Sequence, residues 1–243
     1  MSNHALLAAA GGSLEWPSWS DPTTGNTSFT EATLGAMTGM TFDSTHIWMC
    51  QAGTADIIRR YTTAGTLVTS FASPGTSIAG LTYDGTNLIS GDSGTNDVSV
   101  HVGKTVTVGQ TISMSSIVGG SSIRSLAYTG RDLLMLSVAG NVHVMVGISN
   151  TLRYTFAAPD GASTGGIAYV NGNLVASNTS GVIKICDRLS GDVDSSFTAY
   201  GATAPNPGAG AAPIAFAGTN LLTYDDTVAT YRVFIHNGLT TYG

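Results

Sequence analysis

Residues able to do chemistry are few in this chain and scattered along it. Asp92-Ser93-Gly94-Thr95-Asn96-Asp97 sets side-chain oxygens at alternate positions, a spacing that can wrap a calcium ion, with Asp92, Asn96 and Asp97 as the ligands. The segment lacks the distal bidentate Glu of a calcium-binding helix-loop-helix, and nothing else in the chain repeats it. A hydrogen-bonded turn is the preferred reading, and no metal or cofactor is expected. Asp225-Asp226, at the corresponding turn farther on, reads the same way. His46, His101, His143 and His236 fall at dissimilar places, in strands and turns that do not match. Only Glu15 and Glu31 supply glutamate, both near the start, so a converging acidic ligand set is not expected. No Gly-x-Ser-x-Gly elbow is present for a serine nucleophile. Cys50 and Cys186 have no metal-ligand spacing around them and read as buried small hydrophobes. No catalytic residue is assigned, and the expectation is that the protein is not an enzyme.

The elements that would position any site come from a repeat. Phe42-Asp43-Ser44-Thr45-His46-Ile47 recurs as Tyr83-Asp84-Gly85-Thr86-Asn87-Leu88, then as Tyr128 to Leu133, Tyr169 to Leu174 and Phe216 to Leu221. The aromatics Phe42, Tyr83, Tyr128, Tyr169 and Phe216 are spaced by 41, 45, 41 and 47 residues. A period of roughly 40–47 residues is the mark of a β-propeller. An apolar residue stands two positions before each aromatic (Met40, Leu81, Leu126, Ile167, Ile214), with a small one between, which is strand periodicity. The Gly, Asn, Asp and Ser residues after the aromatic suit a tight hairpin. Two more apolar runs and an outer strand ending on Phe71, Ile112, Phe156 or Phe197 complete four antiparallel strands per unit. The five aromatics are read as a structural core that packs between blades, rather than as sugar-stacking platforms.

The fifth unit is short of an outer strand, because eight residues follow Ile235. The passage from Asp21 to Phe29 resembles the one from Asp187 to Phe197, so residues 26–33 are expected to close the ring as its missing strand. The fold expected is all-β: one propeller of four-stranded antiparallel blades starting near 39, 80, 125, 166 and 213. Five blades are favoured, with six as the alternative. Residues 1–20 are read as an N-terminal arm before a propeller over 21–243. Ala5 to Ala10 is too short to span a membrane and no Lys or Arg precedes it, so neither a signal peptide nor a transmembrane segment is expected. Trp16, Pro17, Trp19 and Pro22 are the interface candidates of that arm. Charged residues make up 10% of the chain and the net charge is −6, which excludes the basic patch of a nucleic-acid binder. Residues 200–213 form a low-complexity stretch without a charged side chain.

Gly80-Leu81-Thr82-Tyr83-Asp84-Gly85-Thr86-Asn87-Leu88, with Gly91-Asp92-Ser93-Gly94-Thr95-Asn96-Asp97 after it, resembles the repeats of NHL/YVTN-type propellers. The resemblance is good over the second unit and partial over the other four, from about 39 to 235, and it implies a scaffold rather than an activity. The Gly-, Ser-, Thr- and Ala-rich, charge-poor composition resembles tailed-phage structural proteins. That resemblance implies a non-enzymatic virion component, a tail fibre, tail-associated or head-decoration protein, assembled in a host cytoplasm. Its expected partners are other virion proteins or further copies of itself, or a surface glycan, but neither nucleic acid nor membrane. A carbohydrate-binding propeller lectin is the alternative, and a propeller hydrolase a more distant one.

Overall fold

A computed structural model describes residues 27–30, 37–53, 56–186, 189–198, 213–218, 220–225 and 232–236. The arm at 1–20, with Trp16, Pro17, Trp19 and Pro22, and the stretch 200–212 lie outside the described residues.

Among the described residues, twenty strands form five four-stranded antiparallel sheets, the blades of a propeller ring. Blade 1 holds β2 (Met37–Phe42), β3 (Ile47–Gln51), β4 (Ile57–Tyr61) and β5 (Leu67–Ala72). Blade 2 holds β6 (Ile78–Tyr83), β7 (Leu88–Asp92), β8 (Asp97–His101) and β9 (Val108–Ser113). Blade 3 holds β10 (Ile123–Tyr128), β11 (Leu133–Ser137), β12 (Asn141–Met145) and β13 (Leu152–Ala157). Blade 4 holds β14 (Thr164–Val170), β15 (Asn173–Asn178), β16 (Val182–Cys186) and β17 (Val193–Thr198). Blade 5 holds β18 (Ile214–Ala217), β19 (Asn220–Asp225) and β20 (Arg232–His236), and takes its outer strand from β1 (Thr27–Phe29). Five blades, not six, close the ring. A single four-residue helical turn, α1 (Ser115–Val118), sits in the crossover from blade 2 to blade 3.

Alternating side chains on each sheet point into the two seams beside it, so both faces of every blade are apolar. Five hydrophobic clusters fill five seams. Trp48, Cys50 and Ile58 of blade 1, for example, meet Ile78, Leu81 and Leu88 of blade 2. Gly39 and Gly80 let successive inner strands approach closely. A Cβ on Gly39 would lie 2.7 Å from the backbone nitrogen of Leu81, and one on Gly80 would lie 2.9 Å from that of Leu126.

The closing strand works by the same packing. Phe29 pairs with Val233, the register position that Phe71 holds opposite Ile58 and Phe156 holds opposite Val142. Its ring crosses the seam to Tyr61 of blade 1, with centroids 6.1 Å apart. Gly65, at φ +87°, leaves room for it, since a Cβ there would clash with the Phe29 ring. The chain's early strand therefore joins the last blade to the first, removing the open edge of an unclosed array.

A register slip in the inner strand recurs in blades 1 to 4, between Met37 and Gly39, Ile78 and Gly80, Ile123 and Ser125, and Thr164 and Gly166. The extra residue at each β-bulge is Thr38, Ala79, Arg124 or Gly165. Bulges re-aim a side chain out of the regular pleat.

Candidate functional site

Each inner strand is the edge of its sheet, so one side of its backbone has no ladder partner. Those five edges surround a central cavity of about 140 Å³, lined by residues 40–42, 81–83, 126–128, 167–169 and 214–216. Strand-edge peptide groups bordering a small space suit a ligand that both donates and accepts hydrogen bonds, though one of them, the Ile167 N–H, already donates to the Ser125 hydroxyl at 3.2 Å. At one end, the face formed by the hairpins from inner to second strands, the cavity is ringed by Phe42, Tyr83, Tyr128, Tyr169 and Phe216. All five are half-buried. Phe42, Tyr169 and Phe216 also pack against seam clusters.

Charged groups surround this aromatic collar. Asp43 of the first hairpin accepts from the backbone N–H of Thr45 and His46, from Trp48 Nε1 at 2.8 Å and from Lys104 Nζ at 2.7 Å. Burial alone raises this carboxyl, but the bonds from Lys104, Trp48, His46 and Thr45 outweigh it and bring it down to about 2. Lys104 comes from the loop between β8 and β9, one blade along, and its ammonium also lies 5.4 Å from the centre of the Tyr83 ring. Asp84 accepts from the Thr86 and Asn87 N–H groups of its own hairpin. Asp132 is buried, bonded to Arg131, Arg153 and the Gly147 N–H, and held below the ordinary carboxylate range by those donors despite its burial. Tyr128 sits where it feels both carboxylates. Burial first, then the charges of Asp84 and Asp132, push its phenol up, so it keeps its proton. The collar thus offers π faces and a protonated phenol, with the Lys104 ammonium held by Asp43 against Tyr83 and the Asp132 carboxylate held by Arg131 and Arg153.

Other sequence candidates are placed elsewhere. Asp92 accepts from Ser77, Gly94 and Thr95 N–H groups and from the Thr95 hydroxyl. Asn96, at φ +59°, bridges to blade 3, donating to Ser121 O and accepting from Ile123 N–H. Asp97 opens β8. These groups hold the loop and the next blade, and among the described residues no three His, Cys, Asp or Glu side chains cluster as a metal site. Cys50 and Cys186 are free and buried, and burial pushes both thiols up to about 12, far from a reactive thiolate.

The histidines are less scattered than their sequence positions suggest. His101 Nε2 meets the Ser90 hydroxyl at 2.9 Å, and His236 Nε2 meets the Thr223 hydroxyl at 2.8 Å. Ser90 pairs with Ser99 and Thr223 with Phe234, each two residues before its histidine, so the two pairs are equivalent. Both pairs are buried, away from the collar. Unequal loop lengths hide the match in the sequence. Lys104 escaped notice because the carboxylate it serves is 61 positions away.

No protein-family model matches the chain, and no curated protein matches it in sequence. Among solved structures it is similar to the glutaminyl cyclase of Myxococcus xanthus, with TM-score 0.69 and 16% identity over 86% of this chain and 93% of that one. It is also aligned with BamB of Moraxella catarrhalis at TM-score 0.45 and 11% identity, over 81% of this chain and 56% of that one. The likeness to the cyclase is one of fold. It nevertheless corrects the expectation of a non-enzymatic virion component, because the matched propeller is that of an enzyme. That expectation rested on composition and on missing sequence motifs. Neither registers a site assembled from strand edges and a collar of rings, and nothing in the fold points to a virion, a tail or a capsid. No helix among the described residues is long and apolar enough to cross a membrane.

Proposed function

We propose that the protein is an enzyme that takes a small amide-bearing substrate at the collared mouth of its central channel, with glutaminyl cyclisation as the first reaction to test. The observation that carries this reading is the junction of five unpaired strand edges with five half-buried rings. A primary carboxamide both donates and accepts, matching peptide edges. The substrate amine next to it would lie across the aromatic rings, where the one carboxylate near Tyr128 that is bonded to guanidiniums, Asp132, is already matched by Arg131 and Arg153. The cavity is small, which suits a side-chain-sized head group with the rest of the substrate lying across the rings. The fold shared with a glutaminyl cyclase supports trying that chemistry first. The blades themselves are read as NHL/YVTN-type on the motif at 80–97.

Cyclisation needs the glutaminyl amine in its neutral form and the carboxamide oxygen polarised: the amine nitrogen bonds to the carbonyl carbon, its proton passes to the amide nitrogen, and the C–N bond of the carboxamide breaks with ammonia leaving. Tyr128, which lines the cavity and keeps its proton, is the residue we assign to donate to that oxygen, and one such donor is worth roughly 10²–10³ in rate. The test is ammonia release from a dipeptide amide with N-terminal glutamine. Wild type is expected to turn over and Tyr128→Phe to lose about tenfold or more in kcat with its thermal unfolding unchanged. Absence of turnover by a folded wild-type protein would sink the reading.

A further inference from the structure

We infer that Arg124 forms an oxyanion site at the opposite end of the channel, taking a carboxylate or a phosphate group. Arg124 is the extra residue at the bulge of β10, two positions before Leu126, where the channel lining of blade 3 begins. Its equivalents are Thr38, Ala79 and Gly165, and they show how little the fold asks of this position. Thr38 ties its blade to the next with one hydroxyl, which donates to Ile78 O at 2.7 Å. Arg124 makes the same tie: Nη1 donates to Thr164 O at 2.8 Å and to Ala162 O at 2.6 Å. Ala79 and Gly165 have no side-chain donor at all.

A guanidinium is more than such a latch requires. With Nη1 used on carbonyls, Nε and Nη2 are left as the paired edge that grips two oxygens of one oxyanion. None of the ion pairs among the described residues includes Arg124. Asp160, in the crossover that supplies Ala162, gives Oδ1 to Lys184 Nζ at 2.6 Å, and its buried, unpartnered Oδ2 makes no ion pair with Arg124. Arg124 is half-buried, and burial lowers its pKa, so the cation is partly desolvated with no anion paired to it among the described residues. A small anion held on the free edge would supply that charge.

Because Thr does this position's structural work in blade 1, Arg124→Thr keeps the latch and removes the charge. The experiment is thermal unfolding of the full chain against phosphate and, separately, acetate, at ionic strength matched with chloride. Wild type is expected to show a saturable rise in Tm with at least one anion. Arg124→Thr should unfold cooperatively and bind that anion at least about tenfold more weakly, while Arg124→Lys, which keeps the charge but loses the fork, falls between them. A rise with phosphate alone assigns a phosphate ligand, and a rise with acetate assigns a carboxylate. A saturable rise undiminished in Arg124→Thr, or no rise with either anion in wild type, overturns the site. The measurement needs no turnover, so it stands or falls separately from the reading of the collar.

Discussion

Blades 2 and 3 build one and the same contact from unlike residues. In blade 2 the Ser90 hydroxyl meets His101 Nε2 inside the protein. In blade 3 the equivalent positions are Met135 and Met145, both fully buried in one apolar cluster. The hairpins repeat the lesson. Asp84 holds its turn by accepting from the N–H groups two and three residues on, and Thr129 holds the next with its hydroxyl, accepting from Arg131 and Asp132. A propeller therefore carries its own controls. Where blades do one structural job with different chemistry, the simpler residue shows what the fold needs, and the remainder in the other blade is what a function can use. Applied to Ser90–His101, this assigns a hydrogen-bonded substitute for methionine packing rather than a catalytic dyad. Applied to Arg124 against Thr38, it leaves a charge to explain.

The largest effect should come from the outer-strand position shared by Phe29, Phe71 and Phe156. Phe29 is 9% exposed and closes the ring, so Phe29→Ala is expected to cost about 3–5 kcal/mol in chemical denaturation. Phe156→Ala, at a half-buried site between blades already joined by the chain, should cost clearly less, and equal costs would break the comparison. Next is Asp43, whose carboxyl is held at about 2 against an ordinary 3.8. Its stabilisation is complete above pH 3.8 and is lost as pH falls through 2, because the unfolded chain then binds the proton more readily. Asp43→Asn should remove about 2 kcal/mol at neutral pH and flatten that acid limb.

A smaller effect tests the paired blades directly. Ser90→Ala leaves His101 Nε2 without its partner and should cost about 1–2 kcal/mol, whereas the double change to Met at 90 and 101, copying blade 3, should recover much of it. His101 is held below its ordinary pKa by burial, despite its bond to Thr105 O. The folded state thus resists protonation, and stability is lost as pH falls below about 6.5. The double variant should lose His101's share of that slope. If it unfolds more readily than Ser90→Ala, the equivalence of the two contacts is wrong. Smallest is Thr129→Asp, which swaps one turn acceptor for the other and should stay within about 0.5 kcal/mol.

The four-strand order and the closing strand could be read from the sequence, because each rests on a repeated local signal. Five blades are favoured there with six left open, and the closed ring decides for five. Phe29 is visible as the counterpart of Phe197 in two similar passages, and the structure sets it at the register position of Phe71. What could not be read depends on the ring itself. The bulge that singles out Arg124 appears only when inner and second strands are paired, and Lys104 reaches Asp43 only across a seam. The collar was legible as five aromatics, but their meeting at one channel mouth follows from closure. The functional expectation failed for a related reason: a search for motifs looks for neighbours in the chain, and here the candidate chemistry is brought together one residue per blade.

On the proposed function, substrate sits at the collared mouth. Intermolecular nuclear Overhauser contacts between bound glutamine amide and the ring protons of Tyr83, Tyr128 and Tyr169 test it most directly. Contacts to at least two of these rings are expected, lost when ligand is washed out and weakened in Tyr128→Phe. Ligand contacts confined to other residues, or no bound ligand at millimolar concentration, would contradict it.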